Sequence, residues 1–505
     1  MIASAGAQIP DWLDVAARAH LDKVALSFGG HHWTFADLRG LVSVAATMLS
    51  NARAGNPGRI GILSANRPGV VIAVHAATRL PAPVVPLNWR QAAPEIGWQL
   101  RDAGITVLVV DEERAMVART ASAELPVRIV PIAELERLPP PDGSPNEPPR
   151  IDLEQEATVI YTSGTSGRPK GARITNGNLW FSAIASALHL GHHPDDVWLA
   201  AMPLFHIGGL AILFRGVIGA VPVVLHERFE PEAVLGAIDE GATLLSVVPV
   251  MLQRLLDARG EAPWPPHLRC VLVGGSAAPP RLIAECLRRG IPVAPTYGLT
   301  EATSQVTTLL PDQAPPKFSS SGLPLPLTEL RIANPAGTGH PGEFGEIEIR
   351  GPTVFAGYLG DDGAGPSDIG DGWFRTGDAG HLDGEGYLYV VDRRDDLIIS
   401  GGENVYPAEI ERVLREHRSV LDAGVIGITD ESWGSRPVAA VVWSGAPDQA
   451  RLELVRHCQQ HLPAYKIPDR FVVLSELPRS PSGKLLRRAL REMIGESAKR
   501  MDAEI

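Results

Sequence analysis

From Arg59 to Arg289 the chain alternates two textures, and this alternation limits its possible folds more than any other feature. Short apolar runs recur at residues 59–63, 107–110, 220–225, 243–248 and 270–273. Runs of four to six residues rich in Val, Ile and Leu read as strands buried on both faces. Between them lie stretches with helical spacing, at residues 70–77, 232–238 and 280–289. Strand–helix alternation predicts parallel sheets covered by helices, an α/β fold.

After about Thr328 the texture changes. Residues 330–332, 346–350 and 387–391 alternate apolar with polar and are separated by glycines, which predicts a small antiparallel β subdomain. Beyond it, residues 407–417 and 449–462 read as helices and 423–428 and 438–443 as strands, enough for a separate α+β domain. The expected division is a large N-terminal domain over 1–394 and a small C-terminal domain over 395–505, with the boundary at Asp395. Residues 138–150 hold six prolines in thirteen positions, so they form a surface connection.

A chain of 505 residues with 45% hydrophobic and 21% charged residues has room for a large core and more than one folding unit. Its formal charge of −12 argues against general nucleic-acid binding. Cys270, Cys286 and Cys458 are too few and too scattered for a disulfide framework or a zinc site. The opening Met1-Ile2-Ala3-Ser4 lacks the basic start of a signal peptide, and a cytoplasmic location is expected. Residues 197–214 carry no Asp, Glu, Lys or Arg, but Pro203, Gly208 and Gly209 interrupt them, so a buried strand followed by a buried helix is expected rather than a membrane span.

Chemistry concentrates first in Tyr161-Thr162-Ser163-Gly164-Thr165-Ser166-Gly167-Arg168-Pro169-Lys170-Gly171. Glycines let backbone N–H groups curl around an anion; hydroxyls and a lysine add donors and charge. The loop reads as a triphosphate grip. It is not a Walker A loop, because Pro169 precedes the lysine and Gly171 follows it. A flexible Ser/Thr/Gly surface loop is the alternative. Downstream come Tyr297-Gly298-Leu299-Thr300-Glu301, Trp373-Phe374-Arg375-Thr376-Gly377-Asp378, Asp392-Arg393-Arg394-Asp395, Gly401-Gly402-Glu403-Asn404 and Pro478-Arg479-Ser480-Pro481-Ser482-Gly483-Lys484.

In this order the motifs resemble the core motifs of the adenylate-forming superfamily of acyl-CoA synthetases, peptide-synthetase adenylation domains and luciferases. The resemblance covers essentially the whole chain. It implies a two-step ligase: a carboxylate and ATP give an acyl-adenylate and pyrophosphate, then coenzyme A gives the thioester and AMP. ATP, Mg²⁺ and CoA are the implied cofactors and co-substrates, and a carboxylic acid the implied partner. Oligomeric state is not legible, a homodimer being an open alternative.

The resemblance also assigns roles. Thr162, Ser163, Gly164, Thr165, Ser166, Gly167 and Lys170 would hold the β- and γ-phosphates. Glu301 is the implied Mg²⁺ ligand, since hard cations prefer carboxylate oxygen; a merely solvated glutamate is the alternative. Thr300 would donate to the α-phosphate. Thr296, Tyr297 and Gly298 would meet the adenine opposite Gly275 and Ser276, although tyrosine is commonly core. Asp378 would accept both ribose hydroxyls, with an Asx turn as the alternative, and Arg393 would reach the same sugar. Lys484 would swing onto the α-phosphate and carboxylate for adenylation, a structural or solvated basic face with Arg479, Arg487 and Arg488 being the alternative. Rotation at a hinge, Asp395, would then replace it with Gly401, Gly402 and Glu403, opening the CoA route. Trp433, Tyr465 and Lys466 would contact CoA, with core packing as the alternative for the two aromatics.

His206, within Met202-Pro203-Leu204-Phe205-His206-Ile207-Gly208-Gly209, resembles the residue closing the acyl pocket in aromatic-acid CoA ligases; a core histidine is the alternative. Gly208, Gly209, Gly275, Leu299, Ser304 and Gln305 would complete the pocket. Residues 198–210, 296–305 and 392–411 further resemble 2-succinylbenzoate–CoA ligases of menaquinone synthesis. Polar Thr303-Ser304-Gln305 suits an acid with a second carboxylate, where a fatty-acid slot would be apolar. The alternatives are another aromatic or medium-chain acyl-CoA ligase, a carrier-loading adenylation enzyme, or an inactive nucleotide-binding homologue.

Overall fold

The computed structural model describes residues 7–137, 149–162, 169–334, 337–360, 369–370, 372–393, 398–400, 403–405, 407–430, 434–444, 447–462, 466–479 and 485–502. The chain divides into two compact units, residues 1–330 with 349–374, and residues 331–348 with 375–505. Asp395 lies outside the described residues.

The first unit contains two helix-flanked sheets. One runs in the order Lys170–Thr175, Glu156–Thr162, Val84–Pro86, Arg59–Leu63, Ile105–Val110, Arg128–Pro131. All its pairings are parallel except the first, where Lys170 lies opposite Thr162. The other sheet has nine strands, in the order Leu323–Pro324, Ser304–Thr308, Val293–Leu299, Cys270–Val273, Leu244–Val247, Trp198–Ala200, Val223–Leu225, Val24–Phe28, His31–Thr34. The run from Val293–Leu299 to Val24–Phe28 is parallel throughout.

Parallel strands need crossovers, and the sequence supplies them. Helices Pro231–Asp239, Pro249–Arg259 and Pro280–Arg288 each start on a proline, whose fixed φ suits the first helical position and whose missing N–H costs nothing there. Their apolar faces, with Val234, Ile238, Leu252, Leu255 and Ile283, bury Leu199, Leu245, Val271 and Val293 of the strands. Each such side chain contributes roughly 1.5–3 kcal/mol on leaving water.

The uncharged run resolves as expected into strand Trp198–Ala200 and helix Ile207–Ile218, both largely buried. Among the described residues no helix is long and apolar enough to cross a membrane.

A smaller, largely antiparallel sheet follows in the order Gly337–Thr338, Glu329–Asn334, Gly345–Arg350, Trp373–Leu382, Ile369–Gly370, with Leu388–Arg393 also paired to Trp373–Leu382. The C-terminal part builds its own five-stranded sheet. Its centre is the antiparallel pair Val420–Asp430 and Gly434–Trp443, with Arg470–Leu474 added in parallel. One apolar cluster joins this sheet to helices Pro407–Glu416 and Pro447–His461, through Ile410, Leu414, Val425 and Leu454. A second joins Ile426 and Val438 to Leu490 and Ile494 of helix Arg487–Asp502. The large α/β part and the small C-terminal α+β part are those expected from the sequence.

Candidate active site

Strand Val293–Leu299 runs into a short 3-10 turn, Thr300–Ala302, and the chain returns antiparallel as Ser304–Thr308. The two strands approach so closely at Gly298 that a Cβ there would sit 1.8 Å from the Ser304 carbonyl oxygen. Only glycine fits. Thr303 and Ser304 take φ of 53° and 100°, left-handed values that cost non-glycine residues energy. Side-chain clamps hold them there. Ser182 Oγ donates to the Thr303 carbonyl at 2.7 Å, and Thr303 Oγ1 donates to the Thr353 carbonyl at 2.7 Å. Thr296 is bonded to the Thr307 carbonyl at 2.7 Å, and Tyr297 is buried.

The turn presents Glu301, half-buried. Its Oε1 accepts the Tyr358 hydroxyl at 2.7 Å, and its backbone carbonyl accepts the Phe355 N–H at 2.9 Å. Among the described residues the carboxylate has no cationic partner. It also belongs to no cluster of three or more metal-ligating side chains. One oxygen held by a neutral hydroxyl and the other open is a donor set suited to Mg²⁺, which is bound by one or two carboxylates together with substrate phosphates. Thr300 is half-exposed beside it.

Tyr358 also lies beneath Lys170, whose Nζ is 5.0 Å from the ring centroid. Lys170 opens strand Lys170–Thr175, opposite Thr162 at the end of Glu156–Thr162, so the glycine-rich segment connects two paired strands. Ser163, Gly164, Thr165, Ser166 and Gly167 within it lie outside the described residues.

His206 is the N-cap residue of helix Ile207–Ile218, and its ring packs 4.5 Å from that of Phe205. His206 is exposed. Desolvation, then the nearby Arg90 charge, pushes the imidazole below its usual range. The loop bearing His206 is pinned by Asn66, which the sequence reading missed. Its side chain donates to the Met202 and His226 carbonyls at 2.9 and 3.1 Å and accepts the Leu204 N–H at 3.0 Å. Gly209 is required sterically, since a Cβ would meet the Pro203 carbonyl oxygen at 2.4 Å; Gly208 has more room. Gly275 follows strand Cys270–Val273 with φ +77°, and half-exposed Ser276 comes next. Leu299 is half-buried at the end of its strand.

Ser304 and Gln305 have different surroundings. Gln305 is buried; its Oε1 accepts Ser186 Oγ and its Nε2 donates to Thr308 Oγ1, both at 2.8 Å, so its amide is engaged inside the protein. Ser304 Oγ instead accepts Nη2 of Arg215 at 3.2 Å. Arg215, another residue the sequence reading missed, is 6% exposed. Its Nε has no hydrogen-bond partner, and among the described residues it forms no ion pair; the Trp198 ring lies 5.6 Å away. Burial lowers its pKa to about 10, so it stays charged at neutral pH.

In the second unit, Asp378 lies on strand Trp373–Leu382 opposite Arg393 of Leu388–Arg393. Its backbone N–H donates to Thr376 Oγ1 at 3.1 Å, and Thr376 Oγ1 donates to the Ile347 carbonyl at 2.8 Å. Gly377 takes φ +72°, with open space where a side chain would stand. Glu403 lies on strand Glu403–Val405, and half-buried Lys466 follows helix Pro447–His461. Gly401, Gly402, Trp433, Tyr465 and Lys484 lie outside the described residues.

Glu301 thus sits on a clamped turn, Lys170 lies over a tyrosine ring at a glycine-rich connection, and Asp378 lies on a strand next to a glycine. The chain belongs to the AMP-binding enzyme family: the family model matches residues 13–359, and the model of the AMP-binding enzyme C-terminal domain matches residues 409–484. Within that family it is 44% identical over 489 residues to the 2-succinylbenzoate–CoA ligase of Geobacillus kaustophilus, covering 96% of this chain and 98% of the relative. The o-succinylbenzoate CoA synthetase of Bacillus subtilis, in complex with the acyl-adenylate intermediate OSB-AMP, matches with a TM-score of 0.87 at 40% identity, over 96% of this chain and 98% of that one. The same synthetase with ATP and magnesium ion matches with a TM-score of 0.86 at 39% identity, over 96% and 100%.

Proposed function

We propose that this protein is an ATP-dependent, AMP-forming acid–CoA ligase whose acid is 2-succinylbenzoate. In the first step a carboxylate oxygen attacks the α-phosphorus of ATP and pyrophosphate leaves. In the second the CoA thiol, losing its proton, attacks the acyl carbon and AMP leaves. Glu301 would hold Mg²⁺, which when bound neutralises phosphate charge. Thr162 to Lys170 would hold the terminal phosphates, Thr300 the α-phosphate, Thr296, Tyr297, Gly298, Gly275 and Ser276 the adenine, and Asp378 with Arg393 the ribose. The protein's work is positioning and charge stabilisation. Lys484 would serve adenylation alone. Domain rotation at Asp395, between 1–394 and 395–505, would then bring Gly401, Gly402 and Glu403 to the CoA route, with Trp433, Tyr465 and Lys466 along it. We place the enzyme in the cytoplasm, with no nucleic-acid partner; light scattering decides between monomer and homodimer.

The observation that carries the substrate choice is Arg215. A buried charge without a counter-ion costs several kcal/mol unless something pairs with it. The guanidinium donates to Ser304, a residue expected at the polar end of the acyl pocket. A second substrate carboxylate meets that need, and benzoate or a fatty acid does not. Gln305, bonded to Ser186 and Thr308, would support Ser304's strand rather than touch the acid. His206, Gly208, Gly209 and Leu299 would enclose the ring.

The test is pyrophosphate release with 2-succinylbenzoate, benzoate and octanoate at fixed ATP, Mg²⁺ and CoA. The expected kcat/KM for 2-succinylbenzoate exceeds that for benzoate by roughly 10³–10⁴, because a buried polar site rejects analogues that leave it unpaired. Preference for benzoate or octanoate refutes the substrate assignment and leaves the ligase class standing.

A further inference from the structure

The segment after the small sheet's strand Gly345–Arg350 behaves as a strap. It crosses two elements of the candidate nucleotide site that are far apart in sequence. At one end the Phe355 N–H donates to the Glu301 carbonyl at 2.9 Å, and the Thr353 carbonyl accepts Thr303 Oγ1. Asn178 Nδ2 donates to the carbonyls of Pro352 and Val354 at 2.8 and 2.9 Å. At the other end the strap pairs with the outer edge of strand Lys170–Thr175. The Ala356 N–H donates to the Arg173 carbonyl and the Arg173 N–H to the Gly357 carbonyl, both at 2.9 Å, and the Leu359 N–H donates to the Gly171 carbonyl at 2.8 Å. Tyr358 sits between these anchors. Phe355 packs edge-on against its ring at 4.8 Å.

One side chain therefore makes two contacts with the phosphate end of the site. The hydroxyl holds Glu301 Oε1 at 2.7 Å, and the ring faces Lys170 Nζ at 5.0 Å. A neutral hydroxyl fixes the carboxylate's rotamer without neutralising its charge, whereas an arginine there would compete with a cation. A cation over an aromatic face is held loosely and stays free to meet phosphate oxygens. We propose that Tyr358 is a positioning residue that aims the free oxygen of Glu301 at the nucleotide-bound cation and ties that aim to the seat of Lys170. The proposal rests on the reading of Glu301 as the metal-facing carboxylate.

The experiment measures Mn²⁺ binding, by the electron paramagnetic resonance of free Mn²⁺, in the presence of adenylyl imidodiphosphate. Binding of the same nucleotide in EDTA is measured in parallel. Tyr358→Phe should weaken Mn²⁺ about tenfold, the usual effect of removing a hydrogen bond to a metal ligand, and leave metal-free nucleotide binding unchanged. Tyr358→Leu should weaken the metal-free nucleotide as well, because the platform for Lys170 is gone. In a Glu301→Gln background, Tyr358→Phe should add no further loss of Mn²⁺ affinity, since the hydroxyl acts only through that carboxylate. Unchanged Mn²⁺ affinity in Tyr358→Phe overturns the proposal, as does an additive loss in the double variant. Equal metal-free binding in the Phe and Leu variants overturns the Lys170 half. Wild-type Mn²⁺ affinity in Glu301→Gln instead overturns the underlying reading of Glu301, and the two failures are told apart.

Discussion

Two groups of charges around the nine-stranded sheet are treated in opposite ways. Just before strands Trp198–Ala200, Leu244–Val247 and Cys270–Val273, Asp196 meets Arg269 and Thr243. Both carboxylate oxygens are bonded to Arg269, at 2.6 and 2.5 Å, with further bonds from Thr243 Oγ1 and the His193 N–H. Burial alone would raise the Asp196 pKa; the Arg269 and His193 bonds outweigh it and hold the carboxyl below its usual range. After strand Val293–Leu299, by contrast, Glu301 has one hydroxyl and no cation. Arg215, buried beside Ser304, has no carboxylate among the described residues. The Asp196–Arg269 pair is electrostatically complete, whereas Glu301 and Arg215 have no counter-ion among the described residues. In open parallel sheets ligands gather beyond the carboxyl ends of the strands, and Glu301 lies there.

The comparison breaks if substitutions in the two groups have similar effects. The largest effect belongs to Arg215→Leu. Its kcat/KM for 2-succinylbenzoate should fall by roughly 10³, while benzoate turnover changes little. Thermal unfolding should show stability unchanged or raised by about 1 kcal/mol, because replacing an unpaired buried charge removes a desolvation cost. A strong destabilisation would mean the guanidinium is structural after all. Glu301→Gln comes next: adenylation measured by pyrophosphate exchange should drop about 10²-fold, with Tm within about 2 °C of wild type.

Asp196→Asn should behave in the opposite way. Breaking a buried pair costs about 3 kcal/mol, read from denaturant unfolding, and steady-state kcat/KM should not change. The smallest effect is in its pH dependence. The folded-state pKa of Asp196 is depressed, so its stabilisation is fully present above the unfolded value near 3.8 and is lost as pH falls through the lower native value. Asp196→Asn should therefore flatten part of the stability loss below about pH 4, and an unchanged acid limb would show that the pair contributes nothing there.

Much of this was legible in the sequence because it is local. The apolar run at residues 59–63 is a strand in any environment that can cover both faces, and it pairs as Arg59–Leu63. The 297–301 motif marked its turn because glycine at 298 answers a steric demand between neighbouring strands. What escaped the sequence depends on distant partners. Arg215 reads as the charge that ends an apolar run; its importance comes from Ser304, 89 residues away. Tyr358 is an ordinary aromatic until it meets Glu301, 57 residues earlier. Asn66 holds a loop 136 residues further on. Ser304 and Gln305 look like one polar patch as adjacent letters, yet one meets a buried guanidinium and the other Ser186.

The strap that carries Tyr358 also has a bearing on how the chain is made. Strand Lys170–Thr175 is the last of its sheet, and its outer backbone groups are covered by residues 356–359. At synthesis rates of about 5–20 residues per second, the ribosome needs roughly 10–35 s to deliver that cover. Until then the sheet shows a bare strand edge next to an apolar core, the kind of template that draws in other chains. Low temperature and slow translation lengthen that exposure, and a holdase chaperone bound to the nascent chain would shield the edge until its late partner arrives.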